Sequence, residues 1–436
     1  MAQQKKISAI LIGAGNRGKV YTDDMAKYPE LCEVVGVAEP IEARRQYIAE
    51  KHNVPAEHVF ADWRDLLALP KIADACIICT MDQEHTEPAI LAIDKGYEIL
   101  LEKPVAANPE ECMKIANYAE EKGINVLVCH VLRYTPFFMK LKNLIDDGYV
   151  GKVMQIRHTE DVGHLHQSHS FVRGNWSNSD RSTPMILQKC CHDLDILQWL
   201  VGEKCTRVQS FGSLSYFTKE NCPEGAPSRC TDGCPAADTC HYHVEKVYLS
   251  DDDHMWMKEA VAKCPNPTKE QILAALRENE FGKCVFQTDN NVVDHQVVNM
   301  EFEGGATASL SMAAFNEGGR DIYVMGTDGS LHGRMKDPYF TYFSFKTGET
   351  TQIPIEDAAK TSEHFGGGHG GGDQGIMAAF FARMKGTYTG KSISSVRQSV
   401  DNHLMAFAAE ESRIKGTVIT MSEYAAELNE KLKKNK

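Results

Sequence analysis

The apolar run Ile7–Ile12 leads directly into a glycine-rich turn, Gly13-Ala14-Gly15-Asn16-Arg17-Gly18, and the turn opens the helical segment Arg17–Lys27. A strand that feeds a helix through such a turn restricts the chain to folds whose backbone doubles back sharply at the carboxyl end of a buried strand. The alternation persists to residue 130. Cys32–Val37, Ala75–Cys79, Glu98–Leu101 and Asn125–Cys129 read as short strands, with helices Glu42–Lys51, Pro88–Lys95 and Pro109–Lys122 between them. Pro88 and Pro109 fall in first helical turns, where proline is tolerated. This order predicts an α/β fold with a doubly wound parallel sheet.

At 436 residues the chain exceeds one typical core, and two domains are expected, 1–132 and 133–436. Past Arg133 the pattern changes. Val153–Asp161, Val208–Tyr216, Val297–Phe302, Ala306–Ala313, Asp321–Met325 and Tyr339–Lys346 read as mainly antiparallel strands, with Gly304-Gly305 as a hairpin turn. Helices are expected at Leu187–Leu200, Gln374–Lys385 and Ser395–Ile414, so the second domain is α+β. An insertion at about 218–275 interrupts it.

The formal charge of −13 argues against nucleic acid or an anionic membrane as partner. Nothing reads as a signal peptide, and no apolar run approaches the roughly 20 residues that span a bilayer. The 14 cysteines are scattered, several in strands, as in reduced cytoplasmic proteins.

Each glycine of the turn has a task. Gly13 permits the turn, Gly15 lets the backbone approach a pyrophosphate, and Gly18 lets helix and strand pack; Asn16 and Arg17 begin the helix whose N-terminus faces the anion. Glu39, at the end of the second strand, suits the adenosine ribose hydroxyls and would repel a 2′-phosphate, which favours NAD. Arg44 and Arg45 lie close by. Thr80 and His85 follow the third strand, at the nicotinamide side of the crevice, although His85 reads equally well as a packed histidine at a helix start. Glu102-Lys103-Pro104 then puts a lysine at the end of a later strand, where a hydride-transfer site would lie.

Together with Thr80, His85, Arg133, Pro136, Cys191-His192-Asp193-Leu194-Asp195 and Gly326-Thr327-Asp328-Gly329, these motifs resemble the glucose–fructose oxidoreductase/inositol dehydrogenase/rhizopine-catabolism (Gfo/Idh/MocA) family. The resemblance covers essentially the whole chain outside the insertion. It implies an N-terminal Rossmann domain, a C-terminal domain with a large open sheet, and an active site between them. It further implies oxidation of a sugar or cyclitol hydroxyl by a nicotinamide cofactor, in homodimers or homotetramers. Lys103 matches the lysine of the family's EKP motif, and His192 matches its proton acceptor. Where the family often carries an aspartate, four residues before that histidine, this chain has Gln188 followed by Lys189, which points to altered acid–base chemistry.

Histidine suits the removal of a hydroxyl proton near neutral pH. On one helix Gln188, His192 and Asp195 share a face; Lys189 adjoins it, and Asp195 either takes part, holds His192 in place or caps structure. The bland reading of His192 is a buried, bonded core histidine. His164, His166 and His169 precede Arg173 and Trp176, a set suited to binding a polyhydroxylated ligand and also able to hold a metal. Arg133 and Tyr134 are further sugar contacts by resemblance. His369, between glycine triplets, reads as part of a lid or as a surface loop.

Cys222, Cys230, Cys234 and Cys240 lie in a polar segment with little apolar content, where a structural zinc or an iron–sulfur cluster would supply the missing staple. His241 or His243 offers a substitute ligand, and unliganded thiols are the even alternative. The chain thus reads as an NAD-dependent oxidoreductase of a sugar, glycoside or cyclitol. The alternative is a glycosidase that oxidises C3 transiently, eliminates the C1 substituent and returns the hydride. A nicotinamide-bound sensor is a third class, and it gives no reason to keep both Lys103 and His192.

Overall fold

The computed structural model describes residues 6–251, 254–355 and 369–434. Its first sheet has six parallel strands, β1 (Ile7–Ile12), β2 (Cys32–Ala38), β3 (Val59–Phe60), β4 (Ala75–Ile78), β5 (Glu98–Leu101) and β6 (Val126–Val128), in the order β3-β2-β1-β4-β5-β6. The strand order reverses between β1 and β4, so their carboxyl ends open a crevice there. Ala9–Ile12, Ala75–Ile78 and Ile99–Leu101 have no solvent exposure, because helices cover both faces.

The second sheet has nine strands: β7 (Val153–Asp161), β8 (Cys205–Ser213), β9 (His295–Phe302), β10 (Thr307–Ala313), β11 (Gly319–Gly326), β12 (Gly329–Arg334), β13 (Tyr339–Ser344), β14 (Thr350–Pro354) and β15 (Ile419–Thr420). Only β7 and β10 pair in parallel; the other neighbours are antiparallel. Residues alternate between faces. Ile156, Val298, Leu310, Val324 and Leu331 face inward and pack on Leu194 and Leu197 of helix Cys191–Val201. Phe211, Val297 and Phe343, on the other face, are exposed.

The expected helix Leu187–Leu200 is two helices, Met185–Gln188 and Cys191–Val201, broken at Lys189-Cys190. The strand expected at Val208–Tyr216 ends at Ser213, because the Asp294 carboxylate takes the amides of Ser215 and Tyr216. Part of the polar stretch after His164 is helical, through His164–His166 and Gln167–Arg173. Helix Pro136–Asp146 was not anticipated; it buries Phe137, Phe138, Leu141 and Leu144.

The insertion holds itself together by apolar burial. Val244, Val247, Tyr248, Met257, Val261, Ile272, Leu276 and Phe281 form a core of their own, drawn from helices Val244–Tyr248, Met255–Ala262 and Lys269–Glu278 and the turn after them. Its apolar residues lie C-terminal to the cysteines, in helices that a reading confined to the cysteine-bearing stretch overlooks.

The end of the chain returns to the first domain. Ile376, Met377 and Phe380 of helix Gly372–Met384 pack with Ala9, Leu11 and Leu127, while Val396, Val400 and Leu404 of helix Val396–Lys415 pack with Ile115 and Val126.

Candidate active site

The glycine turn is built as a cradle. A Cβ on Gly13, whose φ is +88°, would lie 2.5 Å from Cys79 O, and one on Gly18 would lie 2.1 Å from Gly13 O. Gly15 differs: the nearest atom to its Cβ position is an Arg44 guanidinium nitrogen at 3.9 Å. Helix Asn16–Met25 starts there with no side-chain cap, which leaves its first-turn N–H groups for an anion. This open, donor-lined turn fits a dinucleotide pyrophosphate. The Glu39 carboxylate is buried and accepts from Ala14 N at 2.7 Å and Ile41 N at 2.9 Å, so it braces the cradle from beneath.

Arg17 points inward. Its guanidinium donates to Glu102 (2.8 Å), Asp373 (2.6 Å) and Tyr21 (2.6 Å), and Tyr21 donates to Glu102 at 2.6 Å. Burial alone would raise the Glu102 pKa, but Arg17, Lys103 and the Tyr21 hydroxyl together outweigh it and hold the carboxyl below its ordinary value. Asp373 is held down by the same cation. Thr80 donates its hydroxyl to Glu84 O at 3.1 Å. The His85 ring nitrogens lie 2.7 Å from Pro104 O and 3.2 Å from Thr80 O, which ties the loops after β4 and β5 together.

From the end of β5, Lys103 crosses to the second domain and donates to Gln188 O at 2.7 Å. The break after Gln188 presents that carbonyl: the next helix starts its bonds from Cys190 O, which accepts from Asp193 and Leu194. His192 follows within this turn and is 3% exposed. Its Nδ1 is buried with no partner among the described residues, leaving Nε2 as the nitrogen for a ligand. Burial first, then the charge of Lys103, push its pKa well below the usual histidine range, so the ring is neutral at neutral pH. The His369 ring lies 5.8 Å from that of His192, and its Nδ1 is 3.3 Å from Asp373. Gly366–Gly368, the part of the expected lid before His369, lie outside the described residues. Lys189 reaches Glu160 at 3.4 Å.

Other expected contacts turn inward. Asp195 does not orient His192; it takes Arg133 in a two-pronged pair at 2.7 and 2.6 Å and Asn402 at 2.7 Å. Tyr134 OH lies 3.3 Å from Ser394 Oγ. His164 faces Asn316 O at 3.3 Å, and His169 is buried against Tyr248 OH (3.0 Å) and stacked on Phe281. Arg173 donates to Lys283 O and Tyr242 O at 2.7 and 2.6 Å. The Trp176 indole donates to Asp82 at 3.4 Å. Arg133, Tyr134, His169 and Arg173 are each buried and bonded to internal partners, although Arg173 Nη1 has no partner among the described residues.

Zinc is corrected as well. Among the described residues no three His, Cys, Asp or Glu side chains are grouped to hold a metal ion. Cys222 accepts from Gln287 Nε2 at 3.2 Å and Cys230 meets Arg173 at 3.7 Å, while Cys234 and Cys240 are half-buried free thiols.

Residues 7–130 match the oxidoreductase family, NAD-binding Rossmann fold, and residues 142–421 match the oxidoreductase family, C-terminal alpha/beta domain. The chain belongs to this Gfo/Idh/MocA oxidoreductase family. Among Gfo/Idh/MocA relatives, the oxidoreductase YteT of Bacillus subtilis (strain 168) is 24% identical over 71% of this chain and 72% of its own length. An inositol 2-dehydrogenase/D-chiro-inositol 3-dehydrogenase of Lactiplantibacillus plantarum is 25% identical over 48% of this chain and 57% of its own. Levoglucosan dehydrogenase, solved with NADH and levoglucosan, shares the fold with a TM-score of 0.69 and 18% identity, over 96% of this chain and 100% of that one.

The Gfo/Idh/MocA motifs located Lys103 and His192 but not their surroundings. His166 bears on the same centre: burial first, then the charges of Lys189, His169, Lys103 and His369, lower its pKa. It belongs to the histidine-rich stretch, but spacing alone does not distinguish it from His164 and His169. Glu160 and Asp373 reach the site from β7 and helix Gly372–Met384, and no local pattern links them to it.

Proposed function

We propose that the chain is an NAD-dependent oxidoreductase acting on a secondary hydroxyl of a sugar, glycoside or cyclitol. The observation that carries this reading is the meeting of Lys103, from the cofactor domain, with the turn that bears His192. A cation and a neutral, buried imidazole lie together at the mouth of the dinucleotide crevice. When bound, the nicotinamide supplies the hydride acceptor. Lys103 orients the hydroxyl and favours its alkoxide character, and His192 Nε2 takes the proton. The fold neighbour solved with levoglucosan and the inositol dehydrogenase relative support a polyhydroxylated substrate.

A second reading is a glycosidase with no net redox change: the glycoside and water give free sugar and aglycone. It is favoured by the additional acid–base groups around His192, namely His166, His369 and the Lys189–Glu160 pair. Incubating the purified protein with p-nitrophenyl glycosides and with free sugars or cyclitols, with and without added NAD, separates the two. NADH formed in step with substrate supports the oxidoreductase; nitrophenol without net NADH supports the glycosidase. His192→Ala is expected to abolish turnover and retain NAD binding. Turnover that persists in this variant removes His192 as the base.

The exposed sheet face, with Phe211 beside Val297 and Arg157 stacked on Tyr323, supports a homodimer or homotetramer. The free thiols fit a cytoplasmic location. No helix among the described residues is long and apolar enough to cross a membrane.

A further inference from the structure

Three ring nitrogens are buried together with no hydrogen-bond partner among the described residues: Nδ1 of His192 and both nitrogens of His130. His130 follows β6 and has no exposed surface. Its ring meets His192 edge-on, with centroids 5.7 Å apart and planes at 83°, and meets His403 at 5.6 Å and 76°. Its Nδ1 lies 3.9 Å from Asp195 Oδ2. Each unpaired buried nitrogen is destabilising, and a phenylalanine in the same space would avoid that cost.

The neighbours narrow what His130 can serve. His403 is saturated: its Nε2 accepts from Val105 N at 3.0 Å, and its Nδ1 is 2.6 Å from Ser399 O. Arg133 is committed to Asp195 and Ile393 O, Lys103 to Gln188 O, and Glu102 to Arg17, Tyr21 and the Lys103 amide. Among the described residues that leaves His192 on one side and, on the other, Asp195, whose oxygens also accept from Arg133 and Asn402. At this separation a small rotation of either ring, or one internal water, closes a hydrogen bond.

We propose that His130 is a positioning residue for His192, accepting the proton on its inner nitrogen, with Asp195 behind it. This rests on the reading of His192 as base. The resting His192 carries its proton on Nδ1, which leaves Nε2 free. When the substrate O–H bond breaks and Nε2–H forms, Nδ1–H breaks and an N–H forms on His130. One proton enters the His192 ring and one leaves. Burial first, then Lys103, His130, His369 and Arg320, disfavour the positive charge on His192; on His130 it faces the Asp195 carboxylate. Burial first, then Arg133 and Lys103, oppose that charge on His130, and Glu102 favours it.

The test is the pH profile of kcat/KM for holoenzyme carrying His130→Phe or His130→Gln, beside His192→Ala. An acceptor on Nδ1–H strengthens Nε2 as a base, so His130→Phe is expected to lower the plateau at least about 10-fold and move the acid limb to lower pH. His130→Gln, whose carbonyl also accepts, restores part of both. A plateau and limb that do not move, or a drop with the limb fixed in both variants, overturns the proposal. Nitrogen NMR of the imidazoles in the wild-type protein checks the same pair without mutation. The Nδ1–H tautomer of His192 is expected, and Nε2–H in the resting protein overturns the relay. Turnover surviving His192→Ala removes the base itself, an outcome distinct from any result at His130.

Discussion

Arg17 occupies a phosphate-binding turn, yet its guanidinium serves two buried carboxylates, Glu102 and Asp373. Removing it strands both. Arg17→Met is expected to cost about 3–5 kcal/mol in urea unfolding, since breaking a buried pair leaves uncompensated charge. Both carboxyls titrate below their ordinary values in the folded protein. Their contribution is therefore complete above the unfolded carboxylate pKa, about 4, and is lost as pH falls through the folded values. The variant is expected to lose that contribution and unfold at higher pH, as followed by circular dichroism. At this scale the sequence announced the glycines, Lys103 and His192, since each belongs to a short local pattern. It did not announce the Arg17–Asp373 pair, whose partners lie at opposite ends of the chain. Nor did it separate His166 from His164 and His169. The helical segment Gln167–Arg173 carries His169 into the insertion core, and no apolar period records that turn.

Among the elements, the broken helix matters most for the site. Leu187, Cys190, Cys191, Leu194 and Leu197 recur at helical spacing, so periodicity predicts one helix over Leu187–Leu200; the break at Lys189-Cys190 is a tertiary outcome, which frees Gln188 O for Lys103. The insertion teaches the converse. Its cysteines suggested a metal staple, while Leu276 and its neighbours supply a dry core. Leu276→Ala is expected to cost about 2–5 kcal/mol, seen as faster amide exchange over Val244–Phe281. A chelator is expected to leave the melting temperature unchanged, and a fall on chelation would restore the metal. This core also braces the site: Trp256 meets the rings of His166 and His169, and Glu259 lies 3.8 Å from Lys19 on the cofactor helix.

Across the whole molecule, the presence of two sheets follows from patterns visible in the chain, because strand and helix periods differ sharply. Strands Gly329–Arg334 and Thr350–Pro354 and the strand order were not anticipated. The edge strands Val59–Phe60 and Ile419–Thr420 are too short to carry such a period. Buried histidines set the molecule's acid tolerance. Burial pushes His169 and His403 down to about 3, and His130, His166 and His192 are also lowered. Their unfolded forms bind protons from about pH 6.5, so each removes about 1.4 kcal/mol of stability per pH unit below that, until its folded pKa is reached. Thermal melts are expected to fall steeply from pH 6.5 downward.

The returning C-terminal helices carry a consequence for how the protein comes into being. The cofactor domain is encoded first, yet Phe380, Val400 and Leu404 complete its interior and Asp373 neutralises its Arg17. A ribosome that has finished residues 1–132 has therefore made a sheet whose apolar faces these helices have yet to cover, and an Arg17 that has Glu102 but not yet Asp373. Because the last helices complete that interior, cutting the chain near residue 370 is expected to lower the melting temperature of the first domain as well as the second, as calorimetry of the truncated protein would show.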